Sequence, residues 1–169
     1  MSKTGLLKGK TLYVDYEKCI GCETCEAVCK FLYDQPSIVM ARTRSGRMAP
    51  VYCMHCEQAY CMKVCSRGAI TRDHENAVVL NPMLCRGCET RDCMLACPYA
   101  ALFESDKGVG SRKCDLCAGR RDAGLEPACV EMCPCAAISC LDREKVDGLV
   151  TEASRKARDS LLAELKGKL

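Results

Sequence analysis

Residues 19–30 read CIGCETCEAVCK, so Cys19, Cys22, Cys25 and Cys29 stand as C-x2-C-x2-C-x3-C. Three thiols on so short a loop can wrap one face of an iron–sulfur cubane, because C-x2-C sets successive side chains on the inside of a turn. Gly21 lies between the first two thiols, where backbone must come close to inorganic sulfide. The closing Cys29 is expected on a short helical turn leading away from the loop.

The layout recurs three times. Cys53, Cys56, Cys61, Cys65 (group two) and Cys85, Cys88, Cys93, Cys97 (group three) share C-x2-C-x4-C-x3-C, with Gly87 standing where group one has Gly21. Cys114, Cys117, Cys129, Cys133 (group four) read C-x2-C-x11-C-x3-C. Every group opens with C-x2-C and closes with C-x3-C, leaving only Cys135 and Cys140 of the 18 cysteines outside. The flanks repeat as well. LYVDYEKCIGCET from Leu12 aligns with VVLNPMLCRGCET from Val78, and SRGAIT, PYAALF and PCAAIS follow Cys65, Cys97 and Cys133 as a turn, small residues and an apolar strand start. Four units of about 30 residues suggest one design duplicated twice.

Composition agrees that the cysteines staple the fold. Leu, Ile, Val and Phe number only 33 of 169 residues, and Trp is absent. A chain so poor in large apolar residues needs a cross-link. Residues 1–10, MSKTGLLKGK, show neither an apolar signal core nor twin Arg, and no apolar run approaches the ~18 residues of a membrane span. A cytoplasmic protein with reduced thiols is expected, in which clustered cysteine means metal. Zinc is the alternative, but four-cysteine zinc sites use two separated C-x2-C pairs. Recurrent C-x3-C closures, two of them continuing into Pro98 and Pro134, match iron–sulfur signatures instead.

KCDLCAGRRDAGLEPACVEMCPCAAI from Lys113, PVYCMHCEQAYCMKVC from Pro50 and CIGCETCEAVCK from Cys19 resemble motifs of a known family. These are the four-cluster electron-transfer subunits accompanying molybdenum and tungsten pterin oxidoreductases, of the DMSO reductase, formate dehydrogenase and aldehyde oxidoreductase type. The resemblance runs from Leu12 to about Leu141 and implies an α+β fold of two intertwined bacterial-ferredoxin-like units plus a C-terminal helix. Residues 1–48 and 106–141 would form the first dicluster unit, 49–105 the inserted second, and 142–169 a helical extension. Exchange of the closing cysteine, as in two-cluster ferredoxins, implies four [4Fe-4S] clusters: A on Cys19, Cys22, Cys25 and Cys133; B on Cys114, Cys117, Cys129 and Cys29; C on Cys53, Cys56, Cys61 and Cys97; D on Cys85, Cys88, Cys93 and Cys65. The alternative, each group holding its own cube, is disfavoured by the C-x3-C placement. Two departures are noted: x4 before the third cysteine of group three where many relatives have x2, and Ser66 where Pro is usual. Neither removes a ligand.

The formal charge of +3, from 25 basic and 22 acidic residues, falls to about −5 once four sites of −2 each are assembled. Arg86, Arg91, Arg112 and Lys113 are placed to offset that charge, or are solvated surface. The RTRSGR loop from Arg42 is too sparse for nucleic acid, so partner docking or plain solvation is expected there. His55, between two cysteines, reads as a hydrogen-bonding neighbour and not a ligand. Cys135 and Cys140 read as small buried hydrophobes.

From Asp142 onward there is no Cys, Pro or aromatic, and apolar residues recur at three and four. A helix of roughly six or seven turns is expected, lying across its own body or docking a partner subunit or a second copy. The chain shows no nucleophile–base pair, phosphate loop or open metal site, so it is expected to be non-catalytic. It would conduct single electrons between a catalytic oxidoreductase subunit of tungsten or molybdenum pterin type and a redox partner, such as a flavin protein or ferredoxin. The alternatives are a free-standing polyferredoxin shuttle and a subunit serving carbon monoxide dehydrogenase or hydrogenase.

Overall fold

The computed structural model describes residues 9–105, 110–149 and 152–166. Its strands follow the cysteine repeat. β1 (Lys10–Val14) leads into group one, α1 (Thr24–Tyr33) carries Cys25 and Cys29, and β2 (Ile38–Arg42) leads out. β3 (Met48–Tyr52), α2 (Tyr60–Lys63) and β4 (Ile70–Arg72) frame group two in the same order. Group three is framed by β5 (Val78–Leu80), α3 (Pro82–Cys85), α4 (Asp92–Leu95) and β6 (Phe103–Glu104). Group four is framed by β7 (Ser111–Arg112), α5 (Ala118–Asp122), α6 (Ala128–Glu131) and β8 (Ile138–Asp142).

The outgoing strand of each group pairs antiparallel with the incoming strand of the next: β2 with β3, β4 with β5, β6 with β7. The last outgoing strand, β8, pairs with the first incoming one, β1, from Lys10↔Asp142 to Val14↔Ile138. The motifs are thereby closed into a ring of two-stranded sheets. Ribbons of two strands are marginal alone, so stability must come from what packs between them. One core gathers Leu12, Val14, Tyr16, Ile38, Tyr52, Leu116 and Ile138 with cysteines of groups one and four. A second gathers Ile70, Val78 and Leu102 with Cys61, Cys65, Cys93 and Cys97 of groups two and three. At about 1.5–3 kcal/mol for each large side chain buried, three aliphatic residues cannot order the second core without a further cross-link.

Arg121 ties group four to the turn after β4. Its side chain is buried, donates to the carbonyls of Leu116 and Asp115 at 3.0 and 3.2 Å, and pairs with Asp73 and Glu75. Burial alone would raise the Asp73 carboxyl. The guanidinium and the N–H groups of Ala77 and Glu75 outweigh it and hold the group below the usual carboxylate range.

Two expectations are corrected. The closing cysteine lies inside a helix only in group one; Cys65, Cys97 and Cys133 follow the last helical residues of α2, α4 and α6. The C-terminal helix from Asp142 is two helices. Asp142 belongs to the β1–β8 ladder, and the helices are α7 (Arg143–Leu149) and α8 (Glu152–Lys166). Gly148, which costs a helix interior about 1 kcal/mol relative to Ala, sits at the end of α7. Of the expected apolar face Val146 is half-buried; the side chains of Leu149, Val150, Ala153, Ala157, Leu161, Leu162, Leu165 and Leu169 lie outside the described residues. The RTRSGR loop is the β2–β3 turn. There the Ser45 N–H and hydroxyl donate to the Glu164 carboxylate at 3.3 and 3.5 Å, bringing α8 onto the hairpin. No helix among the described residues is long and apolar enough to cross a membrane.

Candidate iron–sulfur centres

Each C-x2-C is bent by a residue of positive φ two places after its first cysteine: Gly21 (+70°), His55 (+47°), Gly87 (+73°) and Leu116 (+59°). The two glycines carry the sequence signal for this bend. His55 and Leu116 carry none, and both are fully buried, so packing holds them in a conformation that side chains ordinarily avoid. The bend turns backbone N–H groups inward. Those of His55 and Leu116 donate to the Cys53 and Cys114 sulfurs at 3.4 and 3.3 Å. A second repeated device serves the closing cysteines. Gly68, Ala100 and Ala136 take positive φ, so that Ala69, Ala101 and Ala137 donate to the sulfurs of Cys65, Cys97 and Cys133 at 3.3–3.4 Å. Cys29, inside α1, accepts from Ser37 at 3.3 Å instead. Such N–H···S contacts stabilise electron density on cluster thiolates and raise reduction potentials.

The thiols assemble across groups. A cavity of about 360 Å³ is lined by Cys53, Cys56 and Cys61 of group two and by Cys97 of group three. A second, open cavity is lined by Cys114, Cys117 and Cys129 of group four and by Cys29 of group one. Elsewhere Cys19 feels the charge of Cys135, Cys133 and Cys22, Cys25 that of Cys19 and Cys22, and Cys93 that of Cys85, Cys65 and Cys88. A tetrahedral zinc would draw four thiolates to within about 3.8 Å of each other, from Zn–S of about 2.3 Å. Among the described residues no three His, Cys, Asp or Glu groups close to single-ion distance. Four thiols facing one wider space is the donor set of a cubane, and the residues present fit it.

Burial pushes these thiols up: Cys25 to about 12, Cys56 and Cys61 to about 11, and Cys114 well above the ordinary value. Thiols held protonated by desolvation become thiolates when iron supplies the compensating charge, so cluster loading releases protons. Of the four candidate cations, Lys113 is inside. It is buried, its ammonium bonds the carbonyls of Val78 and Cys114, and its charge favours the Cys61 and Cys97 thiolates. Arg112 stacks on the Phe103 ring at 5.4 Å, Arg91 pairs with Glu104, and Arg86 is exposed.

His55 is a neighbour of the thiols in this arrangement. Its Nδ1 accepts from Val78 N–H at 3.1 Å. Burial first, then Lys113, Arg143, Arg121 and Arg72, hold it far below the usual imidazole range, hence neutral. Sequence reasoning did not single out Arg72 and Arg143. Both donate to group-two carbonyls, Arg72 to Cys56 and Glu57 at 2.9 and 2.7 Å and Arg143 to His55. Cys140 packs on the first core as expected, opposite Leu12. Cys135 is half-exposed, its sulfur 3.7 Å from that of Cys133.

A mixed helix-and-strand ferredoxin-like body with N–H-lined thiol cavities defines an iron–sulfur protein of the electron-transfer class. A family model described as a 4Fe-4S dicluster domain matches residues 44–143, and a 4Fe-4S binding domain matches residues 12–31. The protein belongs to the 4Fe-4S dicluster family and binds 4Fe-4S clusters. YsaA of Escherichia coli (strain K12) is 38% identical, covering 80% of this chain and 91% of its own length. The thiosulfate reductase electron transfer subunit PhsB of Salmonella typhi is 36% identical over 73% of this chain and 71% of its own. The B subunit of the anaerobic dimethyl sulfoxide reductase of Haemophilus influenzae is 34% identical over 86% and 78%. The expected role in electron transfer, without catalysis of its own, agrees with these relatives.

Proposed function

We propose that the chain conducts single electrons through four [4Fe-4S] clusters between a catalytic subunit of molybdenum or tungsten pterin type and a redox partner, a flavin protein or ferredoxin. The carrying observation is that two thiol-lined cavities each combine three cysteines of one group with the closing cysteine of another. This supports sets A (Cys19, Cys22, Cys25, Cys133), B (Cys114, Cys117, Cys129, Cys29), C (Cys53, Cys56, Cys61, Cys97) and D (Cys85, Cys88, Cys93, Cys65). The two cores, one holding cysteines of groups one and four and the other those of groups two and three, support two intertwined dicluster units.

An order follows from thiols that feel one another across sets. Cys129 of B neighbours Cys25 of A, and Cys114 of B neighbours Cys53 of C. The path then runs A–B–C–D, with B to C the step between units. Ile20 beside the A thiols, and Met83 and Leu95 beside the D thiols, are 70%, 74% and 86% exposed, surface suited to partner docking at the two ends. The catalytic partner is supported by PhsB and the DMSO reductase subunit, which serve such complexes by name. A reducing compartment such as the cytoplasm keeps the ligands as thiols for assembly. Anaerobically purified protein carries about sixteen iron and sixteen sulfide per polypeptide and co-purifies with a larger oxidoreductase subunit. Bound zinc without labile sulfide contradicts the cofactor, and a stable monomer contradicts the subunit role.

A further inference from the structure

The second residue after a closing cysteine faces a cluster site in three of the four groups. After Cys97 it is Tyr99, which lines the cavity of Cys53, Cys56, Cys61 and Cys97. After Cys65 it is Arg67, whose Nε donates to the Leu84 carbonyl at 2.8 Å and whose charge reaches Cys88 on the group-three loop. After Cys133 it is Cys135. In group one the position falls within α1, and Phe31 points to solvent.

Cys135 therefore stands where a side chain faces cluster A, and two contacts agree. Its sulfur lies 3.7 Å from that of Cys133, and among the thiols acting on Cys19 it comes ahead of Cys133 and Cys22. Five thiols surround a site that needs four. Cys133 keeps the ligand geometry of its counterparts, accepting from Ala137 as Cys97 does from Ala101 and Cys65 from Ala69. The extra thiol is thus Cys135, within sulfur–sulfur contact of the ligand it would replace.

We propose that Cys135 is a reserve iron ligand of cluster A: when the Cys133 thiolate leaves its iron, Cys135 takes the same iron. One Fe–S bond to Cys133 breaks and one to Cys135 forms. The proton of the Cys135 thiol passes to the departing Cys133 sulfur, and no electron moves. The proposal rests on Cys133 being the resident fourth ligand of cluster A. The site is the more exposed for having Cys22 at the surface and Cys19 half-buried, so its ligands meet solvent oxidants and electrophiles, and a spare thiol preserves the cluster.

The test is alkylation of the anaerobic holoprotein with iodoacetamide and mapping of the modified cysteines by mass spectrometry, alongside iron analysis. In the unaltered protein Cys133 is protected and Cys135 is modified; the reverse pattern overturns the resident set and the proposal together. In Cys133→Ala the iron content is retained and Cys135 becomes protected, whereas the double variant with Cys135→Ala loses about four iron atoms, one cubane. Loss of that iron from Cys133→Ala alone, with Cys135 still modified, overturns the reserve role and leaves the resident set standing. Should Cys133→Ala fail to accumulate, Cys135→Ala decides: it carries full iron but releases one cluster severalfold faster to a chelator under air. An unchanged release rate contradicts the proposal.

Discussion

The four bends that aim the thiols are made by different residues, and their costs separate. At Gly21 a Cβ would lie 2.9 Å from that of Met48, whereas at Gly87 nothing lies within 4 Å. Both hold positive φ, worth about 1–2 kcal/mol against a side chain, so Gly87→Ala should lose about that much. Gly21→Ala should lose more, because Met48 must also move; anaerobic thermal unfolding of the holoproteins compares them. Lys113 gives an electronic prediction. A unit charge ~8 Å from a cluster, at an effective dielectric of about 20, acts with about 2 kcal/mol, on the order of 90 mV for one electron. Lys113→Met should lower the potentials of clusters B and C by tens of millivolts while leaving A and D nearly unmoved, as read by redox titration with electron paramagnetic resonance.

At the scale of elements, the Arg121 tie joins α5 to the turn after β4. Breaking a buried pair by removing one partner costs about 3–5 kcal/mol. Arg121→Ala should destabilise the holoprotein by that order, while His74→Ala, whose Asp122 pairing is exposed, should change little. Helix α8 tests differently. Removing residues 150–169 keeps β8 and α7, so iron content should be unchanged while the assembled mass in light scattering falls if the helix docks a partner subunit or second copy. An unchanged mass means that it only covers the hairpin to which Glu164 is tied. The strand–loop–helix–strand repeat is legible in the sequence because cysteine spacing and small-residue turns are local. The pairing of β1 with β8 is not, since those strands lie at opposite ends of the chain and nothing in either names the other. The bends at His55 and Leu116 escape because positive φ is written in sequence as Gly or Asn, and here burial supplies what the residue type withholds. Spacing alone equates Cys135 with Tyr99; that the position faces a cluster site requires the cavity.

For the whole molecule, the ring of hairpins accounts for how a chain with few large apolar residues holds together. Each motif supplies thiols to its own loop and, through its closing cysteine, to a neighbour, so metal loading is what locks two small cores. Removing iron should therefore unfold the protein and not merely bleach it: chelation under denaturant-free, anaerobic conditions should abolish the cooperative thermal transition. Cys29→Ala should empty the site of Cys114, Cys117 and Cys129, distant in sequence, and spare the other three groups. The most direct measurement is iron-edge anomalous diffraction from anaerobically grown crystals. Four cubanes should be seen, each held by three cysteines of one group and the closing cysteine of another, in the order A–B–C–D. Cubanes held each by a single group, or single metal ions at the thiol sites, would contradict the account.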